Sequence, residues 1–162
     1  MNYTPLLPRL QQYCEESHNL LRQARVVLCL GDRALLCLLA SRAMESATVL
    51  AAVTTAEECR QAVQQHRPTL VLLSDQLERG NAITLVEEIK SQQPRIHVFL
   101  MVSQRARRRA VERAIKAQCD GVVLQSRLGT GTMAAALRAV SGGGAYVDSS
   151  LCLLYTSPSP RD

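Results

Sequence analysis

The chain has 162 residues, with 19 Lys and Arg against 14 Asp and Glu, so its formal net charge is +5. Hydrophobic residues make up 47% of it, which excludes a fibrous or disordered chain and suffices for one domain with its own core. Aromatic residues make up only 3%, which disfavours a single-stranded nucleic-acid binder that stacks bases on rings. No apolar run reaches the ~20 residues of a membrane span and residues 1–5 do not open a signal peptide, so a cytoplasmic protein without membrane contact is predicted.

The cysteines lack the spacing of a metal or redox site. None forms a CxxC pair, and most stand among apolar neighbours, as Cys29 does between Leu28 and Leu30. Reduced and buried thiols are therefore predicted, as expected in a cytoplasmic protein. The cysteines are Cys14, Cys29, Cys37, Cys59, Cys119 and Cys152.

Helical and strand patterns alternate along the chain. An amphipathic helix is predicted within the N-terminal segment 1–23, followed by short continuous apolar runs of the kind found in strands buried on both faces of a parallel sheet. The strands are predicted at 26–30, 48–53, 70–73, 96–102 and 121–124. Helices are predicted between and after them, at 33–44, 56–66, 81–91, 105–117 and 130–141.

Capping residues mark where several of these helices begin and end. Asp32 precedes the helix after the first strand, and Thr54 or Thr55 precedes the next one with an acidic capping-box partner at 57 or 58. Three glycines at 142–144 end the last helix. Five strands alternating with five helices predict an α/β domain over 24–144, with a five-stranded parallel sheet covered on both faces. The N-terminal helix either packs back on this domain or dimerises through its leucines.

Polar residues follow the strands at the edge where open parallel sheets bind ligands. There is no glycine-rich phosphate loop after the first strand and no nucleophilic serine between glycines, so dinucleotide and hydrolase functions are disfavoured and a non-enzymatic role is predicted. The residues at the strand ends are Gly31, Asp32, Thr54, Ser74, Asp75, Ser103 and Gln125.

Two segments resemble the receiver domain of two-component response regulators. The run from Pro68 to Leu73 is similar to the approach to that family's third strand end, and 117–121 is similar to its AGADG signature. The resemblance covers residues 25–144 and implies a flavodoxin-like (βα)5 fold and a role in phosphorelay signal transduction. Residues 145–151 resemble the start of the linker to a LuxR-type helix-turn-helix domain. DNA contact is therefore expected only through an effector domain after Leu151.

The resemblance places the family's metal and phosphate positions on altered residues. Its Mg²⁺-binding acidic pair falls on Gly31 and Asp32, so one carboxylate is lost and weakened Mg²⁺ binding is expected. Its phosphoacceptor falls on Ser74, which cannot form an acyl phosphate. Asp75 is the alternative acceptor if a one-residue bulge brings its carboxylate into place, although side-chain alternation predicts that it points elsewhere, where it would cap a turn.

The resemblance also assigns the family's switch residues. The hydroxyl is kept as Ser103, the aromatic position is Val122, and the lysine is Gln125. The chain is therefore interpreted as a degenerate receiver that controls an output domain through protein contact. The alternatives are a small-molecule-binding or enzymatic domain using Asp32, Asp75 and Ser103, or a stand-alone interaction module.

The helix predicted at 105–117 contains six basic residues and one acid, which accounts for the whole net charge. Its basic stripe is either a solvated face or a surface for a protein partner, namely a sensor kinase or the chain's own effector domain. We call this stripe the basic surface, and its residues are Arg105, Arg108, Arg109, Arg113 and Lys116.

The last eleven residues change character abruptly. The segment 152–162 resembles the translation of a sequencing adapter, and it is therefore predicted to be disordered and to lie outside the folded domain. On this interpretation the natural chain was cut near Leu151, and the output domain is missing.

Overall fold

A computed structural model describes residues 1–105 and 108–156 of the chain. Its sheet is parallel throughout, with the strand order β2-β1-β3-β4-β5-β6. The strands are β1 (Arg25–Cys29), β2 (Thr48–Val53), β3 (Leu70–Ser74), β4 (His97–Val102), β5 (Gly121–Leu124) and β6 (Tyr146–Val147). The helices are α1 (Leu7–Leu20), α2 (Arg33–Ala43), α3 (Ala56–His66), α4 (Ala82–Gln92), α5 (Arg108–Lys116), α6 (Thr132–Ser141) and α7 (Ser149–Thr156). In this part of the chain no helix is both long and apolar enough to cross a membrane.

The two faces of the sheet carry separate apolar cores. Successive strand residues point to opposite faces, so Val71 packs under α3, α4 and α5 whereas Leu72 packs on the side of α2 and α6. Both faces are covered, which explains why the strands are continuously apolar instead of alternating. This three-layer arrangement confirms the predicted α/β class.

Local capping follows the sequence. The Asp32 carboxylate accepts a hydrogen bond from the Leu35 amide at 3.0 Å and caps α2. Thr55 and Glu58 form a reciprocal capping box at the start of α3. The predicted caps at 32 and 55 are thereby confirmed.

Helix α1 packs back on the domain. Glu16 forms an ion pair with Arg138 of α6, and the Tyr3 hydroxyl donates to the Leu128 carbonyl at 3.4 Å. Of the two roles predicted for this helix, the structure therefore shows the intramolecular one.

The C-terminal part differs from the sequence prediction. The segment expected to begin a linker instead adds a sixth strand, in which Tyr146 and Val147 pair with Gly121 and Val122 of β5. Leu151 of α7 is 3% exposed and joins the core. A two-residue strand is too short to show periodicity, which is why a five-stranded sheet was predicted. Helix α7 runs to Thr156, within the segment expected to be disordered, and residues 157–162 lie outside the described residues.

Candidate functional site

The hydroxyl of Ser74 forms its hydrogen bonds with backbone groups. Ser74 is the last residue of β3 and is 4% exposed. Its Oγ donates to the carbonyl of Gln76 at 2.6 Å and accepts from the amide of Gly31 at 3.3 Å. The side chain thus ties the loop after β1 to the loop after β3, at the position that the resemblance assigns to the phosphoacceptor.

Gly31 leaves no room for a side chain. Its amide donates to the Gln76 carbonyl at 3.0 Å, and a Cβ built on Gly31 would lie 2.5 Å from that same oxygen. Real Cβ atoms essentially never approach an oxygen so closely. The loop after β3 therefore lies where the first carboxylate of the family's acidic pair would project.

The residues at the metal position do not fit Mg²⁺. A hard divalent cation needs several oxygen ligands, above all carboxylates. Gly31 offers none, Asp32 caps α2, and the Ser74 hydroxyl proton is donated to Gln76. Across residues 1–105 and 108–156 no group of three or more His, Cys, Asp or Glu side chains is arranged to hold a metal.

Asp75 and Ser103 form one unit. The Asp75 carboxylate accepts two hydrogen bonds from Ser103, one from its amide at 3.0 Å and one from its hydroxyl at 2.9 Å. The pairing of β3 with β4 is regular up to Ser74, so Asp75 reaches Ser103 without a bulge. The Asp75 amide donates to the Met101 carbonyl at 2.9 Å, so the hydrogen bonding between the two strands continues through this residue. The structure brings together two candidate residues that lie 28 positions apart.

A further ion pair at this edge, between Arg33 and Glu78, could not be predicted from the sequence. Arg33 at the start of α2 binds Glu78 through two hydrogen bonds, of 2.6 and 3.2 Å, and the Thr54 hydroxyl donates to the same carboxylate at 2.9 Å. The hydrogen bond from Arg33 holds the pKa of Glu78 below its ordinary value. Exposed charges are common, and nothing in their spacing indicates that these two meet.

The other two predicted switch positions lie on and just after β5, the neighbour of β4 in the sheet. Val122 is fully buried in β5, between Leu100 of β4 and Val147 of β6. Gln125 begins a short 3-10 turn after β5. Strand β6 covers the edge of β5 beside the Val122 position, so this position is not at the surface.

The C-terminal segment is held by a polar cluster that sequence reasoning missed. Asp148 is fully buried, and its Oδ1 accepts from Arg127 at 3.3 Å and from the Ser150 amide at 3.0 Å. Arg127 also donates to the Ser150 hydroxyl at 2.9 Å. The cluster fastens β6 and the start of α7 to the turn after β5.

The basic surface is partly neutralised. Arg113 binds Glu87 of α4 at 2.9 and 2.7 Å, and Arg108 binds Glu112 at 2.9 Å. The remaining members, Arg105, Arg109 and Lys116, are exposed. Residues 106 and 107, which belong to the helix predicted from 105, lie outside the described residues.

No protein-family model matches this chain, and neither does any curated protein. Solved structures do match. A LuxR-family two-component response regulator from Aurantimonas sp. SI85-9A1 superposes with a TM-score of 0.68 at 16% identity, over 81% of this chain and 94% of that one. The response regulator RcsB of Salmonella typhimurium gives a TM-score of 0.72 at 16% identity, over 86% of this chain and 73% of that one.

A DNA-binding LuxR-family response regulator from Staphylococcus aureus gives a TM-score of 0.65 at 15% identity, over 72% of this chain and 98% of that one. At such identities the likeness shows the fold. The chain has the flavodoxin-like fold of a response-regulator receiver domain, as the segments at 68–73 and 117–121 predicted, with one more strand than expected.

Proposed function

We propose that this chain is a receiver-like regulatory domain that works by protein contact and is not phosphorylated at Ser74. The observation that carries the proposal is the closed arrangement of Ser74, Gly31 and the Gln76 carbonyl. A phosphoryl group and its cation need open space and carboxylates at this place. Here the place holds a serine hydroxyl, a glycine and loop backbone.

The Asp75–Ser103 unit supports a switch held in one state. In the receiver family the hydroxyl after the fourth strand contacts the phosphoryl group, whereas here Ser103 already donates to a carboxylate of its own chain. A charge-assisted hydrogen bond of this kind joins the ends of β3 and β4 without any added group. The domain then keeps one conformation, and a partner or an output domain reads that conformation instead of a phosphate-dependent change.

The basic surface is the proposed contact for such a partner. Arg109 and Lys116 are exposed on α5, which contains the paired Arg108 and Arg113. Arg105 is exposed in a turn before α5, since the helix begins at Arg108 and not at 105 as predicted. An acidic protein surface, from a kinase, an effector domain or a second copy, is the chemistry that this face fits. DNA contact is proposed only through a separate C-terminal domain, and no catalytic role is assigned to the strand-end residues.

Treatment with acetyl phosphate and Mg²⁺, followed by intact mass measurement, tests the proposal. We expect no phosphoryl adduct on the chain or on the Ser74→Ala variant. An adduct that hydroxylamine removes, and that is lost in Asp75→Ala but kept in Ser74→Ala, would show that Asp75 is an acceptor and would overturn the proposal. Asp32→Asn is the matched control, since it removes a neighbouring carboxylate that caps α2.

A further inference from the structure

A second feature of the molecule lies on the sheet face that α1, α2 and α6 cover. A half-open cavity of about 410 Å³ lies between α1, α2, α6 and the sheet. Its floor is the strand face formed by Leu28, Leu72 and Phe99, which are 2%, 9% and 1% exposed. None of Ser74, Asp75 and Ser103 lines it.

The cavity exists because α1 bridges two helices instead of filling the space between them. On one side Glu16 pairs with Arg138 of α6. On the other side the His18 ring nitrogen lies 3.5 Å from the carboxylate of Glu45, just after α2. Polar contacts therefore hold the margins of α1, and its apolar stripe spans the gap.

A glycine at the start of α6 allows α1 to pack closely against that helix. The ring of Tyr13 lies 2.9 Å from where a Cβ of Gly131 would stand, and Gly131 has a φ of +89° that other residues rarely adopt. Any larger residue at 131 would push α1 outwards. Specific contacts therefore determine the position of α1, and the cavity depends on that position.

The lining is mostly apolar. Leu10, Leu35 and Leu39 form part of the walls, while the polar groups among the lining residues include Ser17, His18 and Arg42. A cavity with apolar walls does not hold water well, because water needs polar partners. If the cavity is empty, the atoms that line it have no partners for dispersion contacts on that side. A flexible aliphatic chain satisfies such walls, and pockets of this size are typical of small-ligand sites.

Arg42 can serve the polar end of such a molecule. Its Nη1 donates to both carboxylate oxygens of Glu45, at 2.8 and 2.9 Å. A guanidinium has five N–H donors, and among the described residues the other nitrogens of Arg42 make no hydrogen bond. Arg42 is one of the lining residues, and these donors suit a carboxylate or a hydroxyl oxygen.

From these observations we propose that the cavity is a binding site for a single-chain aliphatic molecule with an oxygen head group, of the fatty-acid or fatty-alcohol class. A second copy of the chain is a poorer occupant, because the floor lies beneath α1 and a partner helix would have to displace α1 to reach it. Leu38, one of the lining residues, is 59% exposed, so the cavity opens to solvent beside it. Bound ligand would fix α1 on the domain and so couple its position to the ligand.

Thermal unfolding with decanoate and with decanol tests the proposal. Each ligand is expected to raise the Tm of the protein, because it binds the folded state alone. The Cys14→Trp variant places an indole in the cavity, since Cys14 is a lining residue, and should abolish the shift. Cys37→Trp adds the same bulk on an exposed position of α2 outside the lining and should keep it.

Fluorescence shows whether the two variants are folded as designed. The protein contains no Trp, so each introduced indole is the sole reporter. Blue-shifted emission is expected for Cys14→Trp and solvent-like emission for Cys37→Trp. Solvent-like emission from Cys14→Trp in a folded variant would show that no cavity receives the indole and would overturn the proposal.

The Arg42→Met variant distinguishes binding of a fatty acid from binding of a fatty alcohol. Loss of the guanidinium should weaken decanoate by about tenfold, the worth of one charge-assisted hydrogen bond, with little effect on decanol. Equal Tm responses of Cys14→Trp and Cys37→Trp, or no response of the unmodified chain, would overturn the site. So would a dimer in light scattering that Leu38→Glu dissociates while neither ligand binds, since a second copy would then cover this face.

Discussion

A carboxylate joins neighbouring strands at each end of the sheet, at the carboxyl ends of the strands (the carboxyl edge) and at their amino ends (the amino edge). The two carboxylates differ in their partners and in their exposure to solvent. At the carboxyl edge Asp75 is bound by Ser103 and borders the solvent. At the amino edge Asp120 accepts from Lys90 at 2.9 Å and from the Val98 amide at 2.8 Å, and its side chain is 18% exposed.

The amino edge is the more completely satisfied of the two. The Lys90 ammonium, 8% exposed, also donates to the carbonyls of Pro94 and Ile96, at 3.0 Å each. Burial alone would raise the pKa of Asp120, but the hydrogen bonds from Lys90, Val98 and His97 outweigh it and hold that pKa below its ordinary value. The comparison indicates that the amino edge contributes more to the stability of the fold than the carboxyl edge does.

The largest effect is expected from removing the cation of the amino edge. Lys90→Met leaves Asp120 without its counter-charge in a mostly buried place, and we expect the free energy of unfolding to fall by about 3 kcal/mol. Urea unfolding measures this loss. Lys116→Met is the matched control, because Lys116 is exposed, and a change below about 0.5 kcal/mol is expected. Equal losses in the two variants would remove the contrast between the edges.

The second prediction concerns the closed arrangement at the carboxyl edge. Gly31→Asp forces a Cβ against the Gln76 carbonyl and should lower the free energy of unfolding by about 2 kcal/mol. Gly142→Asp is its control, since a Cβ there meets nothing nearer than 3.5 Å. Thermal unfolding of both variants measures the difference. A stable Gly31→Asp variant would mean that the loop after β3 moves aside easily.

The third prediction concerns the coupling of Asp75 with Ser103. A double-mutant cycle of Asp75→Ala and Ser103→Ala should give a coupling of about 1 kcal/mol, because only the hydroxyl hydrogen bond is common to both changes. Urea unfolding of the four proteins gives the value. Additive effects would show that the two side chains do not act together in solution.

The smallest effect is expected in acid. The pKa of Asp120 is lowered from its ordinary 3.8, so its stabilising contribution is complete above that pH and is lost as the pH falls through the folded-state value. The free energy of unfolding should therefore decrease with falling pH below about 4, and less steeply in Asp120→Asn. Acid unfolding followed by circular dichroism compares the two slopes. Identical slopes would contradict the role given to this carboxylate.

Local features were predictable because neighbours in sequence produce them. The Asp32 cap and the Thr55 capping box depend on residues three positions apart, and continuous apolar runs indicate buried parallel strands wherever they occur. The candidate residues Ser74 and Ser103 followed from the same strand ends. Their hydrogen-bond partners did not, because each partner comes from a loop whose course the sequence leaves open.

The C-terminal segment shows most clearly which features could not be predicted from the sequence. Tyr146 and Val147 resemble linker residues, and only their pairing with β5 makes them a strand. Asp148 gives no sign in the sequence that it will be fully buried beside Arg127. Such contacts join segments about twenty residues apart or more, where periodicity carries no information.

Taken by itself, the sequence determined the α/β class, the receiver fold, the strand ends and the concentration of basic residues near 105–117, since these depend on local pattern and composition. The tertiary structure decided how the residues are used. It placed loop backbone where a carboxylate would project from Gly31, joined Asp75 to Ser103, paired part of the basic surface with acids, and left a cavity beneath α1. The physical reason is the same in each case: packing brings together groups whose separation along the chain conceals their proximity.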